Sequence, residues 1–325
     1  MVWRRRFQVA LLAFGLACVL GCTENVQDAS SQSSVEGRGT GEAQARALIN
    51  EAEDLFESLE FAEAQARSEL ALDLARQQED WWAVAAAQNA LGSVYSALDQ
   101  NEKALEAFGE AIDVSRSRQL DPKNLAQALA NRGDLYRSIS RYDLALEDLQ
   151  EALQLQEEIG DHESMCFTLY ALGMVFHETQ RPQDGLDACQ RSLECYTEAG
   201  DFRMMAGALS CQGLVLGQLR RPNEAIAAFE RSLSIQEEHG APSYQKAEVL
   251  NNMGLLYHND GQIMLAILMY EEALRVAESE GWSSRSYPAR ILGNLALAQY
   301  QVGNFSQAVG SCERALAAAS DAMDE

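Results

Sequence analysis

Apolar and polar residues alternate along this chain with a helical period, and the pattern restarts about every forty residues. From Asn89 to Ala111 the unit is clear. Leu91, Val94, Tyr95 and Leu98 share one face at three- and four-residue spacing. After the polar turn Asp99-Gln100-Asn101, residues Ala104, Leu105, Phe108, Ala111 and Ile112 form a second apolar face. Two short amphipathic helices joined by so short a turn must run antiparallel. Gly92 and Ala104 let them approach closely, because a larger side chain at either would push them apart.

The unit recurs. Gly92, Gly133, Gly173, Gly213 and Gly254 lie 41, 40, 40 and 41 residues apart. A small residue follows each by twelve positions: Ala104, Ala145, Gly185, Ala225 and Ala266. An aromatic follows four of the glycines by three positions, at Tyr95, Tyr136, Phe176 and Tyr257. One hairpin buries little, so it needs stacked neighbours, and a fixed period of this size predicts a solenoid. Residues 43–78 predict a degenerate first unit, with Ala52 in the place of the glycine and a polar outer face. A seventh unit is shifted by the insertion at 282–287, with Ala296 equivalent to Gly254. Second helices run out at Gly160, Gly200, Gly240 and Gly281, each followed by a new start. Pro182 and Pro222 sit just past a turn, where a first-turn proline loses no needed hydrogen bond.

The first forty residues are different. Arg4-Arg5-Arg6 precedes an uncharged apolar run from Phe7 to Leu20, the length of a signal-peptide core and short for a membrane span. Thr23 to Gly41 is rich in Ser, Gln and Gly and lacks large apolar residues, so it reads as a linker. The expected organisation is a signal peptide over 1–21, a modified Cys and linker over 22–41, and the repeat array over 42–325.

Composition narrows the function. The 325 residues carry 49 acids against 25 Lys and Arg, a formal net charge of -24. Such a body repels a phosphate backbone, which excludes nucleic acid as a partner. Seven Cys occur and none forms C-x-x-C, so no zinc site is expected. The five in the body (Cys166, Cys189, Cys195, Cys211 and Cys312) read as free, mostly buried thiols; Cys189 with Cys211 is the best-placed pair for a bridge. His162, His177, His239 and His258 show no metal spacing. No phosphate loop, nucleophile elbow or catalytic triad is present. No catalysis, cofactor or metal is expected.

Two resemblances add to this. Leu91-Gly92-Ser93-Val94-Tyr95 with Ala104, Phe108 and Ala111 resembles the tetratricopeptide repeat, in its forty-residue form, over Glu42 to the C-terminus. It implies an all-α, right-handed superhelical solenoid of about seven antiparallel helix pairs that binds a peptide or protein in a concave groove. By the family's pattern the groove would be lined by Asn89, Asn131, Arg137, Phe167, Tyr170, His177, Asn251, Asn252, His258, Asn294 and Tyr300. An Asn amide can pair with both the donor and the acceptor of an extended backbone.

Val19-Leu20-Gly21-Cys22 resembles a bacterial lipobox, with Gly15-Leu16-Ala17-Cys18 as a weaker second. It implies a lipoprotein with lipidated Cys22, tethered in the cell envelope; in a Gram-negative source, Thr23 after the Cys implies the outer membrane, facing the periplasm. The expected protein is then a non-catalytic scaffold or adaptor. Its partners would be a protein or peptide, the membrane through the N-terminal lipid, and a second copy through the C-terminal helix. The alternatives are a peptide-sensing regulator and a cytosolic interaction protein whose leader only looks like a signal.

Overall fold

The computed structural model describes residues 36–240, 243–279 and 286–324. Among them are fourteen α-helices in seven antiparallel pairs and no strand. In chain order they are α1 (Glu36–Glu57), α2 (Phe61–Gln78), α3 (Trp81–Ala97), α4 (Asn101–Ser117), α5 (Pro122–Ser138), α6 (Tyr142–Ile159) and α7 (His162–Glu178). Then follow α8 (Pro182–Ala199), α9 (Phe202–Gln218), α10 (Pro222–Glu238), α11 (Ser243–Asn259), α12 (Ile263–Ser279), α13 (Ser286–Gln301) and α14 (Phe305–Asp324). Odd numbers are the first helices of each pair. The chain is an all-α solenoid of paired helices. α1 begins at Glu36, so its first residues fall in the stretch whose composition reads as linker. The leader and Cys22 lie outside the described residues.

Helix ends follow local chemistry. Asp80, Asp121 and Asp201 each accept a hydrogen bond from a backbone N–H of the first turn they cap, at 3.1, 2.9 and 3.0 Å. Asp161 caps α7 in the same way through Ser164. The turn inside each pair needs one left-handed residue, and most pairs place a non-glycine there: Leu59, Asp99, Ser140, Gln180 and Arg220, at φ 58–65°.

The glycine spacing has a steric cause. A Cβ on Gly92 would sit 2.5 Å from the Phe108 ring, and one on Gly213 would sit 2.6 Å from the Phe229 ring. The first helix therefore lies directly on a bulky side chain of its partner. Phe108, Phe229 and Tyr270 occupy this position in three pairs and all are buried. Ala104, Ala145, Ala225 and Ala266 are fully buried one turn earlier.

The helices fall into two compact units, residues 36–172 and 173–325 of the described chain. In the first, α2 packs on α3 and α4 on α5, and α3 packs on both α1 and α5. Its core includes Ile49, Ala71, Ala75, Val84, Ala87 and Leu91. In the second, α11 packs on both α9 and α13. Its core is centred on Leu216, Ala225, Phe229, Val249 and Met253.

The expectation of free thiols is corrected. Cys189 and Cys211 are joined in a disulfide, their Cα atoms 6.0 Å apart. It ties α8 to α9 beside Gly173, whose missing Cβ leaves room for both sulfurs. Cys166 and Cys195 are disulfide-bonded as well, and Cys312 is free and exposed. The Cys189–Cys211 bridge joins two hairpins, at the pair whose spacing placed it best for one.

Candidate functional site

In the second unit, the C-terminal ends of α7, α9 and α11 surround a cavity of about 550 Å3. Most of the residues these helices contribute follow the packing glycine by one to five positions, and Asn252 precedes Gly254 by two. His177 comes from α7. Leu214, Gly217 and Gln218 come from α9, and Asn252, Leu255, Leu256 and Asn259 from α11. Gln180 and Arg220, at the left-handed turns after α7 and α9, close two edges. Phe229 of α10 reaches the floor past Gly213.

Two polar groups here are incompletely satisfied. The Gln218 side-chain amide donates to the His177 carbonyl at 2.9 Å. Its Oε1 is buried without a partner, and so is Nδ1 of His177. Buried acceptors in this state are uncommon and call for a partner. Burial holds the His177 imidazole below the usual histidine range, against the opposing pull of Glu178 and the Gln218 hydrogen bond. The ring is therefore neutral at pH 7. No carboxylate lines the cavity, although 49 of the 325 residues are acidic. Its one charged side chain is the exposed Arg220, which makes no ion pair among the described residues. The arrangement offers uncharged amides at the rim and leucines below, which suits a short neutral stretch of extended chain rather than a metal or a phosphate.

A second cavity of about 370 Å3 lies among α12, α13 and α14. Three of its four charged side chains have partners: Arg314 pairs with Glu278, and Arg275 with the adjoining Glu272. Among the described residues no group of His, Cys, Asp or Glu is arranged to hold a metal ion.

Of the residues expected to line a groove, His177 and Asn252 reach the 550 Å3 cavity. The others lie elsewhere, for physical reasons. Asn131 is fully buried and donates through Nδ2 to Oδ1 of buried Asn89 at 3.0 Å, bridging α3 and α5. Asn294 makes the same bond to buried Asn251 at 2.9 Å, bridging α11 and α13. These amides join successive first helices and do not face an open channel. Phe167 and Tyr170 are 3% and 1% exposed; they lie six and three residues before Gly173, on the buried face of α7. Arg137 is held by fully buried Asp134 at 2.7 Å. The His258 ring bonds the Gln301 side chain at 2.9 Å. Tyr300 is exposed and stands edge-on to Phe305.

The sequence reading missed Gln218, Asn259, Leu256 and Gly217. The signal available was the fifth position after each glycine, which brings the last turn of a first helix to the cavity.

One titratable group in the first unit stands apart. Glu53 of α1 is buried and its Oε2 has no partner. Burial, reinforced by Asp54 and Glu57, pushes its carboxyl up to about 8.

Helix pairs stacked in this way, with a chemically distinct face on their first helices, define a helical-repeat interaction protein. The chain belongs to the tetratricopeptide repeat family. That family's description matches residues 43–117, 124–199 and 204–279, and a second description of the same repeat matches 291–324. No curated protein matches the chain. Among solved structures, a Rap protein complexed with competence and sporulation factor is similar at 15% identity and a TM-score of 0.67, over 86% of this chain and 77% of that one. The apo form of RapI is similar at the same identity and TM-score, over 86% and 98%. NprR in complex with its cognate peptide NprX is similar at 15% identity and a TM-score of 0.64, over 89% and 80%.

The likeness to Rap and NprR structures overturns the envelope-lipoprotein reading. The lipoprotein identification, the lipid anchor at Cys22, the envelope location, the membrane as partner and the homodimer through the last helix are all set aside. Among the described residues no helix is long and apolar enough to cross a membrane.

Proposed function

We propose that the protein is a peptide-sensing regulator that holds a short extended peptide in the cavity at the ends of α7, α9 and α11. The observation that carries this is the lining: amide side chains of Gln218, Asn252 and Asn259 over Leu214, Leu255 and Leu256, with no carboxylate. Amides supply both a donor and an acceptor to a peptide backbone, and apolar positions between them take alternate side chains. The unpartnered Oε1 of Gln218 has the acceptor role that a backbone N–H would complete. The volume, about 550 Å3, is in the range of small-ligand sites. The Rap and NprR structures similar to this chain were captured with a signalling factor and a cognate peptide in those proteins, which supports the same use of the fold here.

The test is selection of a random heptapeptide library on the full chain, followed by titration of the enriched sequences. The reading predicts enriched peptides whose affinity falls at least about tenfold in Asn252→Ala and in Gln218→Ala, the cost of one lost hydrogen bond to a desolvated partner. No enrichment, or enriched peptides that bind both variants as tightly as the parent chain, would overturn it.

A further inference from the structure

Gly217 lacks the reason that its neighbour Gly213 has. A Cβ on Gly213 would meet three atoms of the Phe229 ring at 2.6–2.8 Å, so helix packing requires that glycine. A Cβ on Gly217 would meet only the tip of Leu256, Cδ1, at 3.1 Å, and open space otherwise. Backbone conformation does not require it either. Gly217 is helical, and the left-handed residue at this turn is Arg220. A glycine within a helix weakens it relative to alanine. The residue is thus locally unfavourable, and neither packing nor conformation demands it.

Its position shows what it provides. The residue four places after the packing glycine is Ser96, Arg137, His177, Gly217 and His258 in successive pairs. Only Gly217 has no side chain, and it borders the cavity. The missing side chain leaves open space beside Leu256, in a cavity whose lining also includes Leu214, Leu255, His177 and Gln218. We infer that Gly217 is a specificity determinant, and that the gap over it is a socket for one large aliphatic or aromatic side chain of the bound peptide.

The chemistry of the walls selects the class. A lysine or arginine entering the socket would find no carboxylate and would approach Arg220. An acidic side chain would lose its hydration among leucines. A Leu, Ile, Phe or Tyr side chain buries its surface and costs no charge. The inference rests on the peptide-sensing reading, and one experiment separates the two.

The heptapeptide selection is run in parallel on the full parent chain, Gly217→Ala and Gly217→Val. Circular dichroism and melting temperature establish that each variant is folded; Gly217→Ala guards against the loss of Gly217→Val to misfolding. The parent should select Leu, Ile, Phe or Tyr at one fixed position. Gly217→Val should select Gly, Ala or Ser there and bind the parent's peptides at least about tenfold more weakly, since a few methylenes in a filled pocket discriminate on that scale. Gly217→Ala should weaken the bulkiest peptides by a few-fold without lowering the melting temperature. If the variants select the same residues as the parent with unchanged affinity, the socket is wrong while peptide sensing stands. If peptides are enriched whose affinity also falls in Asn252→Ala but no position prefers a large apolar residue, the socket is again wrong. If nothing is enriched on any of the three, both readings fall.

Discussion

Glu53 shows how much a single buried group can report. Its carboxyl is pushed up to about 8, so it is protonated in the folded chain at neutral pH, whereas the unfolded chain ionises it near 4.5. The native state therefore binds a proton that the unfolded state releases. The stability from this group is fully present below about pH 4.5 and is lost as pH rises through 8. Glu53→Gln keeps the shape and removes the titration. The variant should gain up to about 5 kcal/mol over the parent at pH 9 and little at pH 4.5, read as urea midpoints across that range. Parallel curves for the two proteins would show that Glu53 is ionised in the fold. Burial shifts His177 the other way, below the usual histidine range, and to the same end: the ring, like the Glu53 carboxyl, is kept neutral.

At the scale of the helix, the chain carries its plan openly in some places and conceals it in others. Every packing glycine expected from the forty-residue period has a helix or side chain against it, because the rule is local: one helix lies on its own partner. Gly92 on Phe108 and Gly254 on Tyr270 are direct readings of spacing. The contact between one pair and the next is not local. The family's pattern puts Asn131 in a groove, yet it bonds Asn89 of the previous pair, a partner 42 residues away that one helix's register does not show. Phe167 and Tyr170 are buried as well. The Cys189–Cys211 bridge likewise joins two hairpins. Of the residues the family's pattern puts in a groove, His177 and Asn252 border the cavity.

The helix α9 provides a direct comparison, with two glycines four residues apart. Gly213→Ala should destabilise the chain by about 2 kcal/mol, because its methyl would enter the Phe229 ring. Gly217→Ala should be neutral or stabilising by up to about 1 kcal/mol, because the helix gains and only Leu256 must shift. Equal losses in a denaturation series would mean that Gly217 is a packing residue like its neighbour.

For the whole molecule, seven helix pairs form two compact units, and the groups with unmet polar chemistry differ between them. Residues 36–172 hold the buried carboxyl of Glu53 and the Asp134–Arg137 pair. Residues 173–324 hold the carboxylate-free cavity and a disulfide that ties α8 to α9, one wall of that cavity. In a chain of net charge -24, the places where acids are missing are the exceptional ones. The cavity is such a place. The most direct test of its role is hydrogen–deuterium exchange of the full chain, with and without a saturating heptapeptide taken from the selection. Peptide in the cavity predicts slowed exchange confined to residues 213–220 and 252–259, near the turns that close it. Protection in residues 36–172 alone, or none at saturation, would contradict the assignment of the binding site to α7, α9 and α11.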